Sequence, residues 1–168
     1  MKIKFKSESE QFDTASEEYE KIWESDGVKI TEVSERVSSL KFPEINLGVT
    51  VFEGVSTLSW DDEGNFSMKI RASYPADIKK ATIVHELGHL LLAQIRKRPV
   101  ELDEHRILFL FLYDVWTELY GINFADRAAE VEKKRRGRYD YDSAWTWALS
   151  LNKEERGQKL KEIIWQNK

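Results

Sequence analysis

The chain has 168 residues, a formal net charge of −4 and 41% hydrophobic residues. This length suits one domain with a single core, and the high hydrophobic share excludes a disordered chain. The chain has no cysteine, which excludes disulfides, thiolate metal sites and cysteine nucleophiles. Any metal would therefore be held by His, Asp or Glu, and the acidic total argues against broad affinity for nucleic acid.

The amino terminus is predicted to be structured. Residues 1–6 alternate charged and apolar side chains and lack the continuous apolar stretch of a secretory signal, so we expect a strand there. The longest apolar run, residues 107–113, is far shorter than the roughly 20 residues that a membrane span needs. We therefore expect a cytoplasmic protein with no membrane partner and, by default, a monomer.

Apolar side chains then recur with a helical period. The pattern predicts an amphipathic helix over residues 10–24, which ends near Asp26 and Gly27, and a second helix over residues 30–40, which ends before Pro43. The period then changes, and short β-branched and aromatic runs predict a small three-stranded sheet, mixed or antiparallel, arranged as a meander. Its strands are predicted at residues 47–52, 55–60 and 66–74.

The second half of the chain has helical patterns. After Pro75, a largely apolar helix is predicted to run to about Lys97, and a further helix follows over residues 103–120. We expect one α+β domain, in which the small sheet packs on these two helices, with its core in residues 45–121 and a helical extension in residues 122–168. The remaining helices are predicted at residues 124–132, 143–151 and 153–164.

The predicted apolar helix carries a metal-binding motif. Two of the three histidines lie in His85-Glu86-Leu87-Gly88-His89, the pattern H-E-x-x-H, which a random arrangement of this composition gives with a probability of roughly 0.006. Residues four apart share a helix face, so His85 and His89 can present two imidazole nitrogens to one ion. Glu86 lies beside them, in position to reach a water molecule at that ion. Histidines that serve only the core are the simpler alternative, but buried imidazoles would need polar partners.

A third protein ligand is needed, and helix geometry indicates where to look. If the next helix packs antiparallel to the motif helix, residues 111–115 draw level with the histidines. Asp114 lies in that interval and Glu118 lies one turn beyond it, both in an otherwise apolar helix. One carboxylate could bind the metal while the other orients a ligating histidine, or both could lie on a solvated edge. His105 is the remaining candidate for the third ligand, but its place near the predicted helix start favours a position at the surface or a role in supporting a ligand.

These residues resemble the gluzincin class of zinc metallopeptidases, in particular its short cytosolic ImmA/IrrE-like and minimal forms. The similarity covers residues 45–121, and only the pentapeptide 85–89 is specific. The resemblance implies a single Zn²⁺ per chain, held by the two histidines of the pentapeptide and an acidic third ligand. In that class the third ligand is Glu, which favours Glu118, whereas the helix register favours Asp114.

The same resemblance implies a function. A peptide bond would be hydrolysed by a water molecule that zinc acidifies and Glu86 deprotonates. An extended peptide would pair with the strand before the motif helix, predicted at residues 66–74, where Lys69 and Arg71 would either contact an acidic peptide or protect an exposed edge. A further donor would stabilise the developing oxyanion or support a ligand. The candidates for that donor are His105, Tyr74, Tyr139 and Tyr141.

A basic run and an aromatic cluster admit other functions. Residues 133–138 hold five basic side chains, which we interpret as a solvated helix end because the chain as a whole is acidic. The main hypothesis is an active metallopeptidase with a peptide or protein substrate. The alternative is a zinc-binding regulatory or interaction protein with little or no proteolysis, and a nucleic-acid module is the least favoured. The aromatic residues, expected to pack a C-terminal helix onto the body, are Tyr139, Tyr141, Trp145 and Trp147.

Overall fold

The described part of the chain, residues 1–137 and 139–167 of a computed structural model, folds into a four-stranded sheet and six α-helices. The predicted α+β class is confirmed. The strands are β1 (Lys2–Ser7), β2 (Asn46–Phe52), β3 (Thr57–Trp60) and β4 (Phe66–Arg71). The helices are α1 (Asp13–Ser38), α2 (Ala76–Leu92), α3 (Glu104–Tyr120), α4 (Ile122–Lys133), α5 (Tyr141–Leu149) and α6 (Lys153–Trp165), and a short 3-10 turn (Glu10–Phe12) precedes α1.

The sheet has four strands where the sequence predicts three arranged as a meander. Its order is β1-β2-β4-β3, with β1 parallel to β2, β2 parallel to β4, and β3 antiparallel to β4. A parallel pair needs a crossover connection, and α1 supplies it between β1 and β2. The predicted meander is wrong because β3, a short and largely exposed strand, lies outside β4 instead of between β2 and β4.

A row of apolar side chains crosses the sheet. Val49 of β2 lies opposite Phe5 on one side and Met68 on the other, and Met68 lies opposite Leu58 of β3. Val49 and Met68 are buried, whereas Phe5 and Leu58 at the two sides are only partly buried. Helix α1 contacts β1, and helix α2 contacts β3 and β4. The sheet therefore places β3 at its outer side, next to α2.

Helix α1 is continuous where the sequence predicts two helices. It passes through Gly27, although Gly in a helix interior costs about 1 kcal/mol relative to Ala. A β-carbon on Gly27 would lie 2.8 Å from the Trp23 ring, and the nearby Tyr19 and Ile30 are fully buried. Tertiary packing therefore outweighs the local preference for a break.

Helices α2 and α3 form the centre of the molecule. Helix α2 contacts α1, α3 and α4 as well as the sheet, and it ends at Leu92 rather than near Lys97. A β-carbon on Gly88 would overlap the Leu108 side chain of α3, so glycine permits the close approach of these two helices. Among the residues described, no helix combines the length and apolar character that a membrane span requires.

A buried ion pair attaches α6 to α3. Two nitrogens of Arg156, Nη2 and Nε, donate to the two carboxylate oxygens of Asp114 at 2.7 and 3.0 Å, and both side chains are less than one-tenth exposed. The third nitrogen, Nη1, donates to the Leu151 carbonyl at 2.6 Å, and the Tyr113 ring faces the guanidinium. Removing either charge would leave the other buried and unpaired, which is costly.

We expect Asp114→Ala to lower the free energy of unfolding by about 3–5 kcal/mol, because it leaves the Arg156 guanidinium buried without its carboxylate. Urea denaturation followed by circular dichroism measures this loss. Glu118→Ala is the matched control, since Glu118 lies on the same helix, is 36% exposed and pairs with the exposed Arg36. Glu118→Ala should change the urea midpoint little. Equal losses of unfolding free energy in the two variants would contradict the prediction.

Candidate metal centre

Three histidines converge in a cleft. His85 and His89 lie on α2, His105 lies in the first turn of α3, and one ligand atom of each lies within 4.8 Å of the other two. The Nε2 atoms of His85 and His89 are 3.1 Å apart. His85 and His105 are buried, and the His89 side chain is 14% exposed. Within residues 1–137 and 139–167, this is the one group of three His, Asp or Glu close enough to hold a metal ion.

Local sequence explains why the three rings meet. The four-residue spacing puts His85 and His89 on one face of α2. The Asp103 side chain accepts a hydrogen bond from a backbone N–H one turn later, so α3 begins directly before His105. Gly88 lets α3 approach α2 closely. The first turn of α3 therefore reaches the motif, and the ring centroids of His89 and His105 are 5.0 Å apart.

Glu104 orients the ring of His89. Its Oε1 accepts a hydrogen bond from Nδ1 of His89 at 2.8 Å, and its Oε2 accepts one from Arg98 at 2.9 Å. Burial alone would raise the pKa of Glu104, but His89 and Arg98 more than offset it and hold that pKa at about 2. Glu104 is therefore a carboxylate that holds the proton of His89 on Nδ1, which leaves Nε2 free to bind a metal.

Glu132 of α4 occupies the matching position at His85. Its Oε1 lies 2.8 Å from Nδ1 of His85, and its Oε2 accepts a hydrogen bond from the Trp145 indole at 3.0 Å. A nitrogen of Arg135 lies 3.4 Å from the same Oε1. Burial alone would raise the pKa of Glu132, yet His85, Arg135 and Trp145 together hold that pKa at about 2. A buried carboxylate therefore supports His85, the other motif histidine, from a helix outside the predicted core.

The donor set fits a zinc ion. Zinc binds imidazole nitrogens at about 2.0–2.1 Å, so two of them on a tetrahedral ion lie about 3.3 Å apart, close to the observed 3.1 Å. Burial and the two neighbouring imidazoles lower the pKa of His105 to about 3, which keeps the ring neutral, as a metal ligand must be. Nδ1 of His105 is also buried without a hydrogen-bond partner among the described residues. The three histidines thus lie close enough to bind a metal ion.

Glu86 lines the same cleft as the three histidines. The cleft has a volume of about 590 Å³, and Glu86, next to His85 on α2, is 2% exposed. Residues 55–58 and Trp60 line the cleft from the side of β3, and residues 135–137, 139 and 141 line it from the segment after α4. Within the described sheet β3 pairs with β4 alone, so a strand with one free edge borders the cleft.

The prediction that Asp114 or Glu118 lies beside the motif histidines is wrong. Asp114 is bound to an arginine of α6 and Glu118 to an arginine of α1, and neither belongs to the histidine cluster. His105, expected to lie at the surface or to support a ligand, is 4% exposed and completes the cluster. The register argument fails because α2 ends at Leu92 and residues 93–103 bring the start of α3, rather than its middle, to the motif.

The prediction that residues 66–74 form the edge strand is also wrong. Strand β4 ends at Arg71 and lies between β2 and β3 in the sheet. Lys69 lies outside the cleft lining, where it approaches Glu8 at 3.7 Å. Arg71 does line the cleft, but its Nε donates to the Gly54 carbonyl at 2.9 Å and lies 3.1 Å from Glu53. The edge position belongs to β3 because β3 folds back along β4.

The aromatic residues near the carboxyl end divide into two groups. Tyr139 and Tyr141 lie against His105, each with a ring centroid 4.5 Å from that of the imidazole. Trp145 is fully buried and stacks on Phe109 at 3.8 Å, as expected for a helix packed onto the body. The tyrosines therefore belong to the cleft and Trp145 to the core.

The residues of the basic run, 133–138, also differ in their surroundings. Arg135 and Arg136 line the cleft, as does Tyr74, whereas Lys133 pairs within α4. Arg138 lies outside the described residues. Part of a run that the sequence predicts to be solvated thus borders the histidines.

The orienting carboxylates are missing from the sequence-based site. Glu132 continues the buried alanine face of α4, and an acid on an otherwise apolar helix face is the signal that could have revealed it. Glu104 had no comparable signal, since an acid at a helix start is expected in any case.

We expect Glu132→Gln to weaken zinc binding about 10–100-fold, because Gln keeps the shape of the side chain but replaces the carboxylate that lies 2.8 Å from Nδ1 of His85 by a neutral amide. Competition with a chromophoric chelator measures the dissociation constant, and thermal melting checks the fold. Glu130→Gln, on the exposed side of the same helix, is the matched control and should leave the affinity unchanged. Identical affinities in the two variants would rule out the orienting role.

Comparison with known proteins finds no relative of this chain. No family model matches the chain, no curated protein matches it, and no solved structure matches its fold. The chemistry of the cleft therefore has to be inferred from its own residues and distances.

Proposed function

We propose that the chain is a zinc-dependent metallopeptidase. The observation that carries the proposal is the convergence of three imidazoles within 4.8 Å, in a cleft that Glu86 also lines and that an edge strand borders. His85, His89 and His105 would hold the Zn²⁺. Three protein ligands are typical of catalytic zinc sites, whereas structural zinc sites use four.

Glu86 is the proposed general base. When bound, zinc supplies Lewis acidity, which polarises a carbonyl and eases the deprotonation of a water molecule. Two carboxylates line the cleft, and Glu104 is already bound by His89 and Arg98, which leaves Glu86 for proton transfer. A carboxylate there can take the proton of the attacking water and return it to the leaving amine.

The substrate would bind as an extended peptide beside β3, which replaces the predicted strand at residues 66–74. The free edge of β3 offers a row of backbone N–H and C=O groups to a peptide strand. Val55 and Trp60 line the cleft and are 79% and 60% exposed, so they add apolar surface for substrate side chains. Because α2 contacts β3, a peptide at this strand would lie near the motif helix.

We propose Tyr141, one of two cleft tyrosines whose ring centroids lie 4.5 Å from that of His105, as the oxyanion donor. The Arg135 guanidinium lies 5.7 Å from the centre of the Tyr141 ring. Burial raises the pKa of Tyr141 to about 12, so the hydroxyl stays protonated near neutral pH. A protonated hydroxyl in this position can donate a hydrogen bond to a carbonyl oxygen that gains negative charge.

Metal analysis and peptide digestion of the full chain test the proposal. The purified protein is loaded with zinc, freed of excess metal and incubated with a diverse peptide mixture, and the products are identified by mass spectrometry. We expect about one zinc per chain and new cleavage products that phenanthroline abolishes and added zinc restores. A chain that holds no zinc after supplementation would overturn the proposal, and zinc without cleavage would favour the regulatory alternative.

A further inference from the structure

The segment after α4 gives the cleft a basic wall. Arg135 and Arg136 line the cleft together with Arg71, whereas the acids of the lining are Glu86 and the already paired Glu104. A divalent cation held by the three imidazoles would add positive charge at the same place. With that cation bound, the cleft would be locally positive, although the chain has a net charge of −4.

The three arginines differ in what they already bind. Nε of Arg71 lies 3.1 Å from a carboxylate oxygen of Glu53, and Nη2 of Arg135 lies 3.4 Å from Glu132. Arg136 is exposed, and no ion pair joins it to another residue that the structure describes. Arg136 is thus the cleft guanidinium whose charge is available to a ligand.

We propose that the cleft selects extended peptides that carry carboxylate side chains, with Arg136 as the specificity-determining residue. This inference rests on the proposed function, because it names the substrate class of the same site. A guanidinium holds a carboxylate through two parallel hydrogen bonds, which discriminates Glu and Asp from their amides. Side chains of an extended peptide point alternately to opposite sides, so one set can face the segment that carries Arg136.

The charge pattern favours an acidic peptide over a nucleic acid. Nucleic-acid surfaces use several free cations that contact successive phosphates. Here Lys133 pairs with Glu130 at 2.7 Å and Arg135 pairs with Glu132, so the basic run is partly neutralised within its own helix and the adjoining segment. The free edge of β3 offers backbone hydrogen bonds that a peptide strand matches and a nucleotide chain does not.

Equilibrium binding to a zinc-loaded inactive protein tests the inference without relying on turnover. The Glu86→Gln protein is titrated into fluorescein-labelled decapeptides. The three peptides share one sequence except at every second position, which carries Glu, Gln or Lys. Fluorescence anisotropy reports binding. We expect the Glu peptide to bind about tenfold more tightly than the Gln peptide, and Arg136→Gln in the same background to remove most of that difference. Arg136→Glu should shift the preference to the Lys peptide.

Lys134→Gln is the matched control, since Lys134 is exposed and adjacent but does not line the cleft. It should keep the full preference for the Glu peptide. Equal binding of the Glu and Gln peptides, equal effects of Arg136→Gln and Lys134→Gln, or tighter binding of a single-stranded RNA would each overturn the inference. If the zinc-loaded wild-type chain cleaved the Gln and Glu peptides at equal rates, the inference would be overturned and the peptidase proposal would stand. A binding preference in the Glu86→Gln protein, together with no cleavage of any of these peptides by the zinc-loaded wild-type chain, would support the inference and count against the peptidase proposal.

Discussion

Glu86→Gln is expected to slow peptide cleavage by the zinc-loaded chain about 10²–10⁴-fold. Gln preserves the shape of the side chain but cannot accept a proton in the cleft where the three imidazoles converge. Zinc content should not change, because the proposed ligands are the nitrogens of His85, His89 and His105. Cleavage rates and metal analysis on the same samples measure both quantities.

Glu104→Gln is the control for this prediction, because Glu104 is the other carboxylate that lines the cleft. It should weaken zinc binding through His89, yet retain most of the cleavage rate when zinc is saturating. If both variants lost cleavage equally at saturating zinc, the assignment of Glu86 as the general base would be refuted.

His105→Ala is expected to weaken zinc binding by about a hundredfold or more, at least as much as the loss of an orienting carboxylate. The substitution removes one of the three nitrogen donors and opens a space beside His85 and His89. Cleavage should disappear with the metal. Chelator competition measures the affinity, and thermal melting of the metal-free protein separates loss of a ligand from loss of the fold.

The two acids that the sequence favours as third ligand are the controls. Asp114→Asn and Glu118→Gln should both retain zinc, because their carboxylates bind arginines of α6 and α1. Asp114→Asn should lower the free energy of unfolding while zinc is retained. Zinc lost from either variant but retained by His105→Ala would restore an acidic third ligand and contradict the histidine cluster.

The helices were predictable where their signals are local. Helix α3 begins after Asp103, which caps it, and α6 begins at a capping box formed by Asn152 and Glu155. The strand segments were predictable for the same reason, but their order was not, because pairing depends on contacts between distant residues. Gly27 predicts a helix break that the structure does not have. Burial around Gly27 sustains a helix that the propensity of glycine disfavours.

The candidate site likewise combines residues that a local pattern reveals with residues whose position depends on distant contacts. His85, Glu86 and His89 lie within one helical turn, so a local pattern finds them. The position of His105 depends on the path of residues 93–103, and the predicted continuation of the motif helix to about Lys97 is wrong because α2 ends at Leu92. Glu132 comes from a helix far along the chain, and its role depends on how α4 packs against α2.

The carboxylate of Glu132 also bears on how the centre would mature during synthesis. The motif and His105 leave the ribosome well before α4, and the Trp145 indole that donates to Glu132 follows later still. A nascent chain that ends after α3 would contain every proposed zinc ligand while the His85 ring still lacked its anchor. The smallest competent unit is therefore expected to extend through α5, and a shortened chain would hold its metal loosely.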